Sequence, residues 1–439
     1  MSIVESVTVY YETFSVGTIS VMDQGQMSFT YDPRWLATKG AFPLSVTMPL
    51  QTDPFADTVI GPWLANLLPE EQQLLTLSRV LGLSSSDSLA ILREIGGDTA
   101  GAISVGEPNV RDDWHYEPLR DHYRTGSEEK ALVQHFDDLG RRPFLVGEDG
   151  VRLSLAGGQK KTALAVLDAN GRVKLGLPQP GDTVAIPKFG APSTLIIKPD
   201  NPTLPGIVEN EAYCLTLARL IGLPVVEAVA LKAGNRSALA VARYDRTQRN
   251  NGNLRRLHQE DLAQANGIYP GQKYERGTVP GLTLNSLLQT GRSLPPGDAL
   301  LLLDQVIYNI LVANTDAHAK NYSMLLSRGA RMAPLYDVSS VLPWDHVVQY
   351  HAQNLAGRKR KPGDMARRHW DRIAEEAGFN SRNLRLRVQE QIDDMVAKRV
   401  EATDLVSTQP GVSAEMVRHV AELVEQNALR IGGRLRAKD

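Results

Sequence analysis

With 439 residues and 42% hydrophobic content, the chain can bury a large core, and its length favours two or three domains over one. Lysine plus arginine total 48 against 50 acidic residues, which gives no global reason to expect strong non-specific attraction to nucleic acid, so any DNA contact must come from a local patch. The single cysteine, Cys214, excludes an internal disulfide, and no paired spacing marks a zinc site, as expected of a protein in a reducing cytoplasm.

Met1 to Val16 lacks a basic start followed by an apolar core, so no secretory signal is expected. Short β-like runs follow, Val7 to Tyr11 and Gly17 to Met22. Helical spacing then takes over at Leu64, Leu67 and Leu68 and again at Leu74, Leu77, Val80 and Leu81. Residues 1–108 therefore read as an α+β subdomain. The polar stretch Glu107 to Tyr123 reads as a connection, and Glu128 to Leu139 as a short helix. Val151, Leu153 and Leu155 alternate with Arg152, Ser154 and Ala156 before Gly157 and Gly158, which implies a β-ribbon turning at the glycines. Further strands are expected at Ala163 to Leu167, at Thr194 to Lys198 ended by Pro199, and at Ala238 to Ala242. Between them Glu209 to Ile221 has helical spacing and stops at Gly222 and Pro224.

After residue 247 helices dominate. Leu300 to Val312 is interrupted by Asp304, Gln305 and Asn309, so it reads as a buried helix and not as a membrane span. The helix leads into Asn314-Thr315-Asp316-Ala317-His318-Ala319-Lys320-Asn321, followed by strands near Tyr322 to Leu326 and Arg331 to Leu335, with Asp337 at the end of the second.

Phosphoryl transfer needs a group to orient the attacking hydroxyl, ligands for Mg²⁺, a cation on the phosphates and a backbone cradle above them. Asp316 and Asn321 have the D-x-x-x-x-N spacing of a kinase catalytic loop, and Asp337, 21 residues after Asp316, takes the place of a second metal ligand. By spacing alone, Asp316 and Asn321 are equally turn residues. His318 and Lys320 taken singly are solvated loop residues. Lys198 ends a strand and Glu211 lies 13 residues later on a helix, an arrangement compatible with a phosphate-binding lysine and its acidic partner, or with an exposed helix residue. The loop Ala156-Gly157-Gly158-Gln159-Lys160-Lys161-Thr162 either cradles phosphates or is a plain hairpin turn. Arg243 and Tyr244 follow the strand ending at Ala242, where Tyr244 by itself reads as packing.

Together these segments resemble the HipA family. The resemblance rests on Arg152 to Leu164, Asn314 to Asn321, Pro334-Leu335-Tyr336-Asp337 and Leu257-His258-Gln259-Glu260-Asp261, and in the N-terminal part on Pro43-Leu44-Ser45, Asn66-Leu67-Leu68-Pro69 and Glu94-Ile95-Gly96. It implies an α+β, distantly protein-kinase-like two-lobed fold. An extra N-terminal α+β subdomain would span 1–108, the nucleotide-binding part of the N-lobe 109–247, and a mostly helical C-lobe 248–439. The activity implied is that of a serine/threonine protein kinase using ATP and Mg²⁺. Asp316 would be catalytic, and Asn321 and Asp337 would hold the metal. Ala156, Gly157, Gly158, Gln159, Lys160, Lys161, Lys198, His318, Lys320 and Asn321 would contact ATP phosphates, and Ala242, Arg243 and Tyr244 the adenine. Ser154 would be an inactivating autophosphorylation site, because a charge of about −1.5 to −2 disturbs a loop shaped for other phosphates. The family also implies a toxin whose partners are a separate small helix-turn-helix antitoxin, operator DNA through that complex, and a protein substrate such as an aminoacyl-tRNA synthetase. Lys359, Arg360 and Lys361 would offer phosphate contacts on DNA, or form a solvated loop. Two other readings differ in class: a catalytically silent repression or scaffold partner of the antitoxin, and a small-molecule kinase.

Overall fold

The computed structural model describes residues 2–275 and 279–437. The chain divides into two compact units, one comprising residues 1–199, 240–270 and 324–330, the other 200–239, 271–323 and 331–439.

The first unit contains a five-stranded antiparallel sheet built from β1 (Ile3–Tyr11), β2 (Phe14–Met22), β3 (Met27–Tyr31), β4 (Phe55–Ala56) and β5 (Ile103–Val105), in the order β4-β3-β2-β1-β5. Val7, Val9 and Tyr11 alternate inward along β1, as a half-buried strand requires. Their core includes Ile60, Trp63 and Leu64 of the helix Asp57–Ala65, Leu77 of the helix Glu71–Leu81, and Leu89, Ile91, Leu92 and Ile95 of the helix Ser88–Ile95. Asp87 caps the last of these by accepting from Ala90 N at 3.0 Å.

A second sheet of this unit comprises β6 (His115–Pro118), β7 (Thr162–Leu167), β8 (Val173–Lys174), β9 (Thr183–Lys188) and β10 (Leu195–Pro199). β7 lies between β10 and β9, β6 flanks β9, and β8 pairs with the end of β7. Every residue of β7 is buried, which fits the unbroken apolar run Ala163 to Leu167. Two local expectations change. The polar stretch after Glu107 contains β6, an edge strand whose His-Tyr-Glu-Pro sequence has no apolar run to reveal it. Residues 151–156 form no ribbon: Leu153 makes a single bridge to Asp98, so the arm finds its partner in a distant loop.

The second unit is mostly helical, with helices Ile207–Leu220, Leu284–Arg292, Pro296–Leu311, Arg367–Ala377, Ser381–Ser407 and Ala414–Arg436. The last two pack on each other and on Ile207–Leu220. Pro296–Leu311 buries Leu302, Leu303, Val306, Ile307, Ile310 and Leu311, matching the buried helix expected there. Among the described residues no helix is long and apolar enough to cross a membrane.

Candidate catalytic loop and glycine-rich loop

The helix Pro296–Leu311 ends in a turn through Ala313, which sits at φ 60, and delivers Asn314 to a buried position. The Asn314 amide nitrogen donates to Asn309 Oδ1 at 2.8 Å and to the Asp337 carbonyl at 3.4 Å, while its Oδ1 accepts from Asp316 N at 3.1 Å. One side chain thereby ties the backbone of Asp316 to that of Asp337. The Asp316 carbonyl accepts from His318 N at 2.7 Å and from Asn321 Nδ2 at 3.1 Å. Asn321 spends its amide nitrogen on that carbonyl and so presents Oδ1 as its remaining polar atom.

Asp316 is exposed, whereas His318, Lys320 and Asn321 are buried. Tyr336 fastens the far side, its hydroxyl donating to the Lys320 carbonyl at 2.8 Å and pairing with Ser323 Oγ at 2.6 Å. Asp337 is half-buried at φ 57, a left-handed conformation that Asp tolerates better than most residues. Its neighbours lie outside any strand, since the second strand is only Arg331–Met332. Asp316, Asn321 and Asp337 thus belong to one hydrogen-bonded assembly. Two oxygen donors, from Asn321 and Asp337, fit a hard cation such as Mg²⁺, which keeps water and phosphate as its other ligands. Among the described residues no three His, Cys, Asp or Glu side chains form a metal cage.

The glycine-rich loop lies in the first unit. Ser154 is fully buried: its N–H donates to the Asp98 carbonyl at 3.1 Å, and its hydroxyl donates to the Leu67 carbonyl at 2.7 Å. Beyond it the Gly157 carbonyl accepts from Glu70 N at 3.3 Å. Gln73 Nε2 donates to the Gly158 and Gln159 carbonyls, each at 2.8 Å. Gly157 has φ 103, a conformation that side chains strain to adopt, and a Cβ there would come within 2.7 Å of Lys161 Nζ. Lys161 Nζ donates to the Ala156 carbonyl at 2.7 Å, bracing the turn. Lys160 is exposed and lies over Gly140. Ala156 and Gln159 are half-buried and Gly158 is exposed.

Lys198 is buried in β10, and in the other unit Glu211 is buried on its helix, so Glu211 is not the exposed helix residue that its sequence also allowed. Ala242 is buried and Tyr244 half-buried, its hydroxyl donating to Gln259 Oε1. The Arg243 guanidinium points into the first unit and donates to Asp245 Oδ1 and Oδ2 (2.9 and 2.7 Å), Ser193 Oγ (2.9 Å) and the Thr99 carbonyl (2.9 Å). Its N–H donates to the Thr194 carbonyl at 3.0 Å.

That guanidinium belongs to a buried cluster that no motif signals. Arg246 Nη2 and Arg256 Nε donate to Asp98 Oδ1 at 2.8 and 2.9 Å, and Ser193 Oγ donates to Asp98 Oδ2 at 2.6 Å. Burial alone would raise the Asp98 carboxyl, but Arg246, Arg256 and Arg243 bring it well below the usual carboxylate range. Burial and the neighbouring Arg243 lower Arg246 to about 10. The backbone of Asp98 meanwhile holds the arm that carries Ser154, donating to the Arg152 carbonyl at 2.8 Å.

In the basic segment of the second unit, Lys359 and Lys361 are exposed. Arg360 turns inward, donating to the Leu355 carbonyl at 2.8 Å.

Residues 153–402 match the HipA-like C-terminal domain family and residues 7–106 the HipA N-terminal domain family. A putative kinase of Sinorhizobium fredii, Y4mE, is 34% identical over 431 residues, covering 97% of this chain and 98% of that protein. The serine/threonine-protein kinase toxin HipA of Shewanella oneidensis is 31% identical over 72% of this chain and 71% of its own length. Among solved structures, a Shewanella oneidensis HipA in complex with HipB and operator DNA superposes with a TM-score of 0.81 at 25% identity, covering 97% of both chains.

Proposed function

The chain belongs to the HipA family, and from that premise we propose that it is an ATP- and Mg²⁺-dependent serine/threonine protein kinase serving as the toxin of a toxin–antitoxin pair. The observation that carries this reading is the assembly in which Asn314 joins Asp316 to Asp337 while Asn321 is bound to the Asp316 carbonyl. Asp316, exposed at the loop apex, would take the proton of an acceptor hydroxyl as its oxygen attacks the γ-phosphorus and ADP departs. Asn321 and Asp337 would hold Mg²⁺, which when bound neutralises charge developing on the phosphates. The loop Ala156 to Lys161 would lie over the phosphates, contacted also by the cations Lys198 and Lys320 and by the His318 ring, and Ala242 to Tyr244 would hold the adenine, Arg243 through its carbonyl.

Ser154 would be the autophosphorylation site. Its hydroxyl is buried on Leu67, so the arm must leave this position before the residue can react. A phosphoryl group would then bar its return, because no anion fits against a buried carbonyl. The partners proposed are a HipB-like antitoxin, operator DNA through the complex, and a translation protein such as an aminoacyl-tRNA synthetase as substrate. The Shewanella oneidensis assembly of HipA, HipB and operator DNA supports the first two. Lys359 and Lys361 are suited to DNA phosphates, and Arg360 is not.

The test is incubation of the purified chain with γ-labelled ATP and Mg²⁺, with and without Asp316→Asn. Labelling of Ser154 or of added protein by the wild type alone is expected, and absence of all labelling by unmodified wild type refutes the enzyme reading.

A further inference from the structure

Gln272-Lys273-Tyr274-Glu275 carries no motif, yet in the second unit it lies along the catalytic loop. The Tyr274 hydroxyl donates to Asp316 Oδ1, and the Tyr274 ring sets its edge against the His318 ring with centroids 5.0 Å apart at 80°. The Lys273 carbonyl accepts from Ala319 N at 3.4 Å and from Gln353 Nε2 at 3.5 Å. Glu275 accepts from the backbone and side-chain nitrogens of Asn354, both at 2.8 Å, and its own N–H donates to the Ala352 carbonyl at 3.0 Å. The strip is therefore fastened on one side to residues 316–319 and on the other to residues 352–354.

Resting on the kinase reading above, we propose that Tyr274 is a positioning residue for Asp316. An exposed aspartate samples its rotamers on the picosecond to nanosecond scale, and a base is effective only when it is aimed at the proton it takes. The backbone of Asp316 is held by Asn314, His318 and Asn321, but those bonds leave its carboxylate to rotate. The Tyr274 phenol supplies the missing restraint: it holds Oδ1 and turns Oδ2 toward the acceptor hydroxyl. Because Lys273 and Glu275 are both pinned, the phenol is a built part of the site and not a transient occupant of the acceptor's place.

The experiment is steady-state transfer from Mg-ATP to casein by the purified full chain, comparing wild type, Tyr274→Phe and Asp316→Asn, with a melting curve for each. In Tyr274→Phe, kcat is expected to fall by about tenfold or more while KM for ATP and the melting temperature stay at their wild-type values. An unchanged kcat beside an inactive Asp316→Asn overturns this inference and leaves the kinase reading standing. A kcat that rises overturns it as well, since the phenol would then be blocking the acceptor. A fall in kcat accompanied by a higher KM and a lower melting temperature assigns Tyr274 to structural support only. Wild type without transfer to any acceptor overturns the kinase reading and this inference together.

Discussion

The hydroxyl of Ser154 donates to the carbonyl of Leu67 at 2.7 Å, and both lie in the interior of the first unit. Leu67 follows the helix Asp57–Ala65, and six residues later Gln73 bonds the Gly158 and Gln159 carbonyls, so the N-terminal part of the chain clasps the glycine-rich loop at two points. Release of Ser154 for the proposed phosphorylation would break the first of these, and the second holds the loop that follows it.

Gln73→Ala removes one clasp without touching Ser154. Two partly exposed hydrogen bonds are worth about 1 kcal/mol together, so the open population of the loop should rise several-fold. Ser154 should then be self-labelled several-fold faster in Mg-ATP, followed as intact mass against time. Equal rates in variant and wild type would show that the clasp does not limit release.

Asn314 is the second lever. Asn314→Ala removes the acceptor of Asp316 N and the donor to the Asp337 carbonyl, and strands Asn309 Oδ1 in the interior. Unmet buried groups cost about 1–3 kcal/mol, and misplacing Asp316 relative to Asp337 should lower kcat by about a hundredfold. Urea unfolding and kcat measured on one preparation separate the two effects. A loss of stability with kcat intact would remove Asn314 from the catalytic geometry.

What could be read from the sequence depended on how local the bonding partners are. That Asp316 and Asn321 lie together is legible because the bond between them closes within five residues, and the buried helix before them is legible from its apolar spacing. The arm Arg152 to Ala156 alternates like a ribbon strand, but its partner is residue 98, so periodicity identified extended backbone and misassigned its pairing. Glu211 had two readings because a helix shows only which of its faces is apolar, and its neighbours bury it anyway. Arg360 lies in a basic run, and only the fold reveals that the Leu355 carbonyl takes its guanidinium. Arg246 and Arg256 reach Asp98 across 148 and 158 residues, and in the sequence each is an ordinary charge.

That cluster yields a stability prediction. Asp98→Ala leaves Arg246 and Arg256 buried without their shared carboxylate, which should cost about 3–5 kcal/mol. It also leaves the backbone of residue 98 less well placed to hold the Ser154 arm. Guanidinium melts measure the first effect, and proteolysis within residues 152–161 under native conditions the second. A variant as stable as wild type would show that the two arginines find other partners.

Glu260 makes stability depend on pH. It is buried beside Ser45, with Oε1 accepting from Val46 N at 2.9 Å and Oε2 without a hydrogen-bond partner. Burial raises its carboxyl from 4.5 to about 8, against the lowering effect of Ser45 and Val46 N. The folded chain therefore keeps a proton that the unfolded chain releases above 4.5, so this contribution is fully present below pH 4.5 and is lost as pH rises through 8. Nearby His258, lowered by burial from 6.5 to about 4, acts in the opposite sense, its contribution lost as pH falls through 4. Between pH 6.5 and 8 only Glu260 of this pair changes stability, and it lowers it. Glu260→Gln keeps a neutral side chain at every pH, so its melting temperature relative to wild type should climb steadily from pH 5 to pH 8. A difference that stays constant over that range would mean that Glu260 is ionised inside the folded protein.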